Sequence, residues 1–309
     1  MTINRRTVLA SLGGAMAWNA PWASAQSTVW PTKPVRFIVG AAAGGSASDA
    51  LTRFFAHQIA EHSKQSVVVE NRPGADGNLA AEAVARAAPD GSTFLVTGNN
   101  THAANIHLYK SLPFDPEKDF APVTTYARVP YVLLINGSRV AARNFKDFIA
   151  YARANPGKLT YASAAVASRV GAEQLKLMAK FDAVNVAYKS GAQAMTDLLG
   201  GHVDFYIADA ANALQQVQAG RAIALAVTVA ERLAAAPDIP TIAESGYPEF
   251  DFASWLAVWT TAGTSPDMVR AASVAINDAM GSTAGKQFLE KQGLLAYPGS
   301  PEALRELQQ

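Results

Sequence analysis

Short apolar runs alternate with helical patterns along most of this chain, and this alternation restricts the possible fold more than any other feature. The runs typical of buried strands are Val35–Val39, Val67–Glu70, Phe94–Thr97, Val132–Ile135, Leu159–Ala162, Val184–Tyr188, Val203–Ala208 and Ile223–Val227. Between them apolar residues recur with a 3.6-residue period, as in Leu51, Phe55 and Ile59. Strands that alternate with helices predict an α/β fold, with a mostly parallel sheet covered by helices on both faces.

Two stretches rich in proline and turn residues divide the chain. They are residues 110–130 and 231–250, and each is typical of a passage near a domain border. The section between them has strands and helices of its own. We therefore expect two α/β lobes, joined by two crossings and separated by a cleft. Residues 26–129 and 229–309 form lobe 1, and residues 130–228 form lobe 2.

The first 25 residues contain the three regions of a secretory signal peptide in order. Arg5 and Arg6 give a positive start, a short apolar stretch follows, and Ala23-Ser24-Ala25 provides a cleavage site. The arginine pair leaves the general and the twin-arginine export routes both open. A buried helix is the alternative interpretation. We expect residues 1–25 to be removed and the mature protein to be soluble and exported, since no later apolar run has membrane-spanning length.

The composition excludes several classes of function. The chain has 26 Lys and Arg against 25 Asp and Glu, so it lacks the basic surplus of a nucleic-acid-binding protein. It has no cysteine, which excludes disulfides, thiolate metal sites and a cysteine nucleophile. No zinc-protease, nucleophile-elbow or nucleotide-binding motif occurs. We expect no cofactor, no metal and no catalysis; the enzymatic alternative is a periplasmic hydrolase that uses Ser46 or Ser48 with His102.

Candidate ligand-binding loops follow four of the predicted strands, at the end of the sheet where α/β proteins bind ligands. In the first loop, Gly44 and Gly45 let the backbone approach a ligand closely. Ser46 and Asp49 there have capping-box spacing and open a helix, whose N-terminus suits an anion. The other three loops are Gly98–His102, Ser163–Arg169 and Lys189–Gln193. Each loop is also compatible with an ordinary turn between a strand and a helix.

If these loops face one another, their N–H and O–H groups converge on a small carboxylate. Two charged residues accompany them. Arg169 is able to form a bidentate pair with a carboxylate, and a solvated surface position is equally compatible with the sequence. Asp209 ends a predicted strand, where it either accepts from a ligand hydroxyl or amine or caps the next helix, which is the more common role.

Several ordered stretches between Trp30 and about Leu307 have a family pattern. They include WPTKPVRFIVGAAAGGSASD, VVVENRPGADGN, ARAAPDGSTFLVTGNNT, YKSLPFDPEKDFAPVT, VAYKSGAQAMTDLLGGHVD and ALAVTVAERLAAAPDIPTIAESGYPEF. These stretches resemble the periplasmic substrate-binding proteins of tripartite tricarboxylate transporters, the Bug family. The resemblance implies a two-lobe periplasmic-binding-protein fold, with two crossing strands as a hinge and the ligand cleft between the lobes.

The resemblance also implies a function. A monomeric protein would capture a di- or tricarboxylate or an aromatic carboxylate and present it to the membrane permease subunits of a tripartite transporter. The ligand-binding residues implied by position are Ala43, Gly44, Gly45, Ser46, Ser48, Asn99, Asn100, Thr101, Ser163, Ala164, Ser168, Arg169, Ser190, Gly191 and Asp209. An extracytoplasmic sensor subunit that binds the same acid is the main alternative. A regulator effector domain is a further one, which the export signal disfavours.

The chain departs from the family pattern in two loops. Its first loop has Ala41-Ala42-Ala43 where the family usually has an aromatic residue or proline, which predicts a larger pocket. Its third loop, read from Ala164 to Val170 as AAVASRV, is shorter than usual. Arg169 would then replace a backbone donor in binding the carboxylate.

Overall fold

The computed structural model describes residues 30–44, 46–164 and 166–308. The expected signal peptide lies outside the described residues. The strands are β1 (Val35–Val39), β2 (Val67–Asn71), β3 (Thr93–Gly98), β4 (Phe120–Ile135), β5 (Leu159–Ser163), β6 (Ala183–Ala187), β7 (Phe205–Asp209), β8 (Ile223–Val227), β9 (Ala253–Thr261) and β10 (Leu295–Ala296). They form one mixed sheet in which the main path runs β2-β1-β3-β9-β4-β7-β5-β6.

Helices follow most of the strands. They are α1 (Ala47–Ser63), α2 (Asn78–Ala85), α3 (Asn105–Leu108), α4 (Phe145–Ala154), α5 (Val166–Ala179), α6 (Gly191–Leu199), α7 (Ala210–Gln218), α8 (Pro266–Gly281), α9 (Thr283–Lys291) and α10 (Pro301–Gln308). A 3₁₀ turn covers Ala75–Gly77, and a π-helical turn covers Asn100–Ala104. The α/β prediction is confirmed. None of the described helices combines the length and the apolar character that crossing a membrane requires.

The expectation of a mostly parallel sheet is correct only for the two outer groups of strands. There β1 pairs in parallel with β2 and β3, and β5 pairs in parallel with β6 and β7. The central strands β4 and β9 pair antiparallel with each other and with their other neighbours. Parallel neighbours need a long crossover connection, usually a helix. The segment between β8 and β9 contains no helix, so the alternation rule does not apply to it.

Strand β4 belongs to both halves of the sheet. Its first part, Phe120–Pro130, pairs with β9, and its second part, Tyr131–Ile135, pairs with β7 and β8. The second half of the proline-rich stretch 110–130 is therefore part of a strand. Its register with β9 shifts next to Pro122, as expected at a residue with no N–H to donate to the ladder.

The chain returns between the halves close to the middle of β4. The N–H of Thr228 donates to the Tyr131 carbonyl (3.0 Å), and the N–H of Phe252 donates to the Thr228 carbonyl (2.8 Å). Two connections thus lie side by side, one through β4 and one through residues 228–252. Together they join the two halves of the sheet. We call this junction, around Tyr131, Thr228 and Phe252, the waist.

Each half of the sheet has its own hydrophobic core. Phe37, Phe55 and Phe94 pack together in the half that contains β1, β2 and β3. Phe148 and Phe205 do the same in the half that contains β5, β6 and β7. A further apolar cluster covers the opposite face in each half. Helices on both faces exclude water from the sheet. A ligand therefore reaches the sheet only at the ends of the strands, where the loops lie.

Candidate functional site

A cavity of about 520 Å³ lies at the waist between the two halves of the sheet. The first half supplies most of its wall, through the loops that follow β1, β2 and β3. The lining residues are Gly40, Ala41, Ser48, Gly74, Ala75, Asp76, Gly77, Val96, Thr97, Gly98, Asn99, Asn100, Val129, Tyr131, Ala167, Ser254, Trp255 and Leu256. Polar groups and an apolar surface meet in this cavity, which is the usual composition of a small-molecule site.

The loop after β1 is fixed by one buried carboxylate. The Ser46 hydroxyl caps α1 by accepting from the Asp49 N–H (3.2 Å). Asp49 Oδ2 accepts from the Gly44 N–H (2.8 Å) and from Arg53 Nε (3.1 Å). Asn71 on β2 donates from Nδ2 to Asp49 Oδ1 (2.8 Å) and to the Ala41 carbonyl (3.0 Å). The loop is therefore tied to both α1 and β2.

The same contacts determine the charge of Asp49. Burial raises the pKa of the Asp49 carboxyl, but hydrogen bonds from Gly44, Arg53 and Asn71 outweigh burial and lower it overall. The group is thus ionised at neutral pH. Because the Gly44 N–H already donates to this carboxylate, Gly44 serves the loop and has no free N–H for a ligand.

The loop after β2 has an unusual backbone. Four successive residues have positive φ: Gly74 (128°), Ala75 (48°), Asp76 (52°) and Gly77 (90°). A left-handed conformation costs about 1–2 kcal/mol for each residue with a side chain, so neighbouring groups must hold it. The Tyr109 hydroxyl donates to Asp76 Oδ2 (2.9 Å), and Asn105 Nδ2 donates to the Asp76 carbonyl (3.3 Å).

Glycine lets this loop approach its neighbours. A Cβ atom on Gly40 would lie 3.1 Å from the Gly77 Cα, and one on Gly77 would lie 3.0 Å from Thr101 Cγ2. These distances are shorter than ordinary carbon contacts, so side chains at either position would push the loops apart. The loops after β1, β2 and β3 therefore converge on one wall of the cavity because the backbone at Gly40 and Gly77 is bare.

The loop after β3 divides into a lining part and a buried part. Asn99 and Asn100 line the cavity, whereas Thr101 and His102 are completely buried behind them. The His102 ring stacks on Trp259 with a centroid distance of 3.9 Å, and its Nδ1 lies 2.8 Å from Thr101 Oγ1. Burial lowers the pKa of His102 to about 3, so the ring is neutral at neutral pH.

The arrangement does not support the hydrolase alternative. Within the described part of the chain, His102 has no hydrogen bond to Ser46 or Ser48, and its Nε2 has no partner. The two serine hydroxyls lie 3.1 Å from each other. A serine nucleophile requires a base within hydrogen-bonding distance. Residues 30–44, 46–164 and 166–308 also contain no cluster of metal-ligating side chains.

The third predicted loop contributes little to the cavity in this structure. Ala167 is the residue of this region that lines it, while Ser163 and Ser168 are buried. The Ser163 hydroxyl donates to Asn185 Oδ1 (2.7 Å), and the Ala164 N–H donates to Ser168 Oγ (3.1 Å). Arg169 is exposed.

The fourth loop and Asp209 act as helix caps. Ser190 Oγ accepts from the Gln193 N–H (3.3 Å) at the start of α6, with Gly191 next to it. Asp209 Oδ1 accepts from the Asn212 N–H (3.1 Å) at the start of α7. Ser190, Gly191 and Asp209 lie in the second half of the sheet and are not among the cavity-lining residues.

The structure thus brings together some of the residues expected from the sequence and adds others. Ser48, Asn99 and Asn100 line the cavity, with Ala43, Gly44 and Ser46 in the adjoining loop; Gly45 lies outside the described residues. The residues that sequence reasoning missed are Gly74–Gly77, Val96, Thr97, Val129, Tyr131, Ser254, Trp255 and Leu256. The glycine-rich stretch NRPGADGN, directly after a predicted strand, was the available signal for the first of these.

Tyr131 and Trp255 form the floor where the two halves meet. The Tyr131 hydroxyl lies 2.9 Å from Ser254 Oγ, and burial raises the pKa of Tyr131 to about 12. The phenol therefore stays protonated and neutral. Among the described residues that line the cavity, Asp76 alone carries a charge. The site offers neutral donors, an apolar floor and one carboxylate.

Known proteins are similar to this chain in sequence and in architecture. The family model described as "Tripartite tricarboxylate transporter family receptor" matches residues 51–309. Protein BugT of Bordetella pertussis is 31% identical over 306 residues, which cover 98% of this chain and 93% of BugT. The structure of Rpa4515 of R. palustris with adipate has 34% identity and a TM-score of 0.80, covering 90% of this chain and 93% of that chain. The structure of the periplasmic binding protein BugD has 30% identity and a TM-score of 0.75, covering 90% and 94%. The chain therefore belongs to the tripartite tricarboxylate transporter receptor family, and it has the fold of the Bug-type periplasmic solute-binding proteins.

Proposed function

We propose that this protein captures a small organic carboxylate in the cavity at the waist and delivers it to the permease subunits of a tripartite transporter. The observation that carries the proposal is the cavity itself. It combines the start of α1, two asparagine side chains and three glycine-containing loops with an apolar floor. The adipate bound to the related Rpa4515 supports the same ligand class.

The chemistry of the wall fits a carboxylate held by neutral donors. Ser48 lies in the first turn of α1, where unpaired N–H groups and the helix dipole favour an anion. The amides of Asn99 and Asn100 add donors on the next loop. Trp255 and Leu256 offer an apolar surface to the carbon chain or ring of the ligand. Both aliphatic and aromatic carboxylates match this combination.

Capture proceeds by closure of two lobes around the ligand. Lobe 1 comprises residues 26–129 and 229–309, and lobe 2 comprises residues 130–228. Closure moves the loops of lobe 2 towards the cavity, so that the remaining candidates reach the ligand in the closed form. These are Ser163, Ala164, Ser168, Arg169, Ser190, Gly191 and Asp209. The ligand favours the closed state through its greater affinity for that state.

The location follows from the same proposal. Residues 1–25 direct export, and the mature monomer, residues 26–309, acts in the periplasm. A membrane permease is then the partner that receives the ligand. Chemical cross-linking in cells between the mature protein and the membrane fraction, followed by mass spectrometry, identifies that partner. Recovery of a signalling receptor instead of a permease would replace transport by the sensor function.

Thermal unfolding of residues 26–309 with a panel of aliphatic and aromatic carboxylates tests the binding function. A ligand at a hundred times its dissociation constant adds about 2.7 kcal/mol to the free energy of unfolding, which raises the midpoint visibly. The variant with Asn99→Ala and Asn100→Ala should lose most of this shift. Gln218→Ala, at the exposed end of α7, is the control and should keep it. An unchanged shift in the double variant contradicts the proposed site, and no shift with any acid contradicts the ligand class.

A further inference from the structure

The cavity is flanked by two carboxylates that differ in their surroundings. Asp49 is buried and paired with Arg53, whose Nη2 lies 3.1 Å from Asp49 Oδ1. Asp76 lines the cavity and is exposed. Its one side-chain hydrogen bond among the described residues comes from the neutral Tyr109 hydroxyl, and no described lysine or arginine forms an ion pair with it. The charge of Asp49 is thus balanced inside the protein, whereas the charge of Asp76 is not.

The backbone fixes the place of this charge. Asp76 has φ 52° within the left-handed segment Gly74–Gly77. Tyr109 holds its carboxylate and Asn105 holds its carbonyl. Aspartate and asparagine adopt this conformation more readily than other residues with side chains. The backbone of Asp76 is therefore held in the cavity wall, Tyr109 orients the carboxylate, and Oδ1 remains an acceptor without a partner in the described part of the protein.

A negative charge at this place discriminates between ligands by their second end, which is the group opposite the carboxylate that the neutral donors bind. A ligand hydroxyl or ammonium group is able to donate to Asp76, and a hydrogen bond to an ionised acceptor is stronger than a neutral one. A second ligand carboxylate is repelled, and closure strengthens the repulsion because it removes water from the cleft. If the second carboxylate of a ligand lies about 6 Å from Asp76, at an effective dielectric constant of about 40, the repulsion weakens binding by roughly tenfold relative to a ligand with a neutral group at that place.

We propose that Asp76 is a specificity-determining residue, and that the site prefers a carboxylate whose second end carries a hydroxyl or ammonium donor over a dicarboxylate of the same length. This proposal rests on the carboxylate-binding function argued above. It narrows the ligand class from organic acids in general to hydroxy and amino acids of low net negative charge.

Matched ligands that differ only in the second end test the proposal. The six-carbon series is adipate, 6-hydroxyhexanoate and 6-aminohexanoate, and the four-carbon series is succinate, 4-hydroxybutyrate and 4-aminobutyrate. Titration calorimetry on residues 26–309 should give a lower dissociation constant for the hydroxy or amino member than for the dicarboxylate. In Asp76→Asn, which keeps the shape and an acceptor for Tyr109, that ratio should fall by on the order of tenfold.

Two further variants make the result specific. Asp267→Asn removes one negative charge from an exposed position on α8, 77% accessible and outside the cavity lining, and should leave the ratio unchanged. Asp76→Gly removes the charge while fitting the positive φ without strain, and should reproduce Asp76→Asn. Tighter binding of the dicarboxylate by the unmodified protein, or an equal ratio in Asp76→Asn, overturns the proposal. If no acid binds, whatever its second end, the carboxylate-binding function fails and the proposal fails with it.

Discussion

At the residue scale, Asp49 connects the conformation of the loop after β1 to the stability of the fold. Its carboxylate binds Gly44, Arg53 and Asn71 at once. Asp49→Asn keeps the size of the side chain but replaces one acceptor oxygen by a donor group that faces other donors. We expect a loss of about 1–3 kcal/mol in the free energy of unfolding, together with weaker ligand binding. Urea unfolding and calorimetry measure the two effects, and Asp267→Asn should show neither.

The lowered pKa of Asp49 also predicts a pH dependence. The ordinary value of 3.8 applies to the unfolded chain, and the folded value lies below it. The stabilisation is therefore fully present above about pH 4 and is lost as the pH falls through the folded value. The difference in unfolding free energy between the unmodified protein and Asp49→Asn should shrink between pH 5 and pH 2. A difference that is constant over this range would show that charge has no part in it.

His102 predicts a second pH dependence with the same sign at higher pH. Burial keeps the folded ring neutral down to about pH 3, whereas the unfolded ring takes up a proton below its ordinary value of 6.5. Stability from this group is present above pH 6.5 and is lost as the pH falls towards 3, by up to about 1.4 kcal/mol per pH unit. Between pH 7 and pH 5 the loss should be about 2 kcal/mol.

The variant His102→Phe isolates this contribution. Phenylalanine is able to stack on Trp259 but does not titrate, so the loss between pH 7 and pH 5 should be smaller by about 2 kcal/mol than in the unmodified protein. His107→Gln, at an exposed histidine, is the matched control. Denaturant unfolding at both pH values gives the measurement. Equal losses in the protein with and without His102 would assign the pH dependence to other groups.

At the scale of elements, the segment Gly74–Gly77 depends on its glycines for two separate reasons. Gly77 has φ 90°, and a Cβ there meets Thr101 Cγ2 at 3.0 Å. Gly44, in the loop after β1, provides the comparison. It has φ 68°, and a Cβ atom there would have no neighbour within 4 Å. Gly44→Ala should therefore cost only the conformational term, about 1–2 kcal/mol. Gly77→Ala should cost more and should also weaken ligand binding, because it separates the loops after β2 and β3. Urea unfolding compares the stabilities, and equal costs would show that the contact with Thr101 relaxes freely.

The positions of most elements could be predicted from the sequence, because apolar period and turn residues are local signals. β1, β5 and β8 lie where their apolar runs predict them, and α6 begins at its capping residue. Strand β9 was missed although its sequence ASWLAVWTT is apolar, since its spacing of Trp255 and Trp259 also fits a helix. The direction of β4 and β9 depends on contacts between distant segments, which no local pattern records.

The site shows the same division. Asn99, Asn100 and Ser48 were predicted by the rule that ligands bind at the ends of strands. The loop Gly74–Gly77 obeys that rule too, but α2 has the alanine-rich sequence NLAAEAVA, whose apolar period is too weak to mark a helix. Tyr131 and Trp255 reach the cavity only because β4 and β9 meet at the waist. Their role follows from the tertiary structure and not from any motif.

At the scale of the whole molecule, lobe closure predicts a change in one distance. The chain has no cysteine, so introduced thiols are labelled without background. Leu79 and Val170 are both exposed; Leu79 lies on α2, which packs on β1 and β3, and Val170 lies on α5, which packs on β5 and β7. Spin labels at Leu79→Cys and Val170→Cys should move closer together when a ligand binds. Labels at Leu79→Cys and Val274→Cys, both in the proposed lobe 1, should keep their distance. A constant distance in the first pair, with ligand binding demonstrated, would rule out closure.

The continuity of β4 has a mechanical consequence. A strand of 16 residues that is hydrogen-bonded in both halves of the sheet forms a common axis for them. Neither half can slide along it without breaking its ladder, so bending and twisting about Pro130 and Tyr131 are the soft motions that remain. A small rotation there displaces the loops of each half in proportion to their distance from β4. Under the proposed closure, the loops farthest from β4 would therefore move most, and β4 rather than the ligand would set the path of their motion.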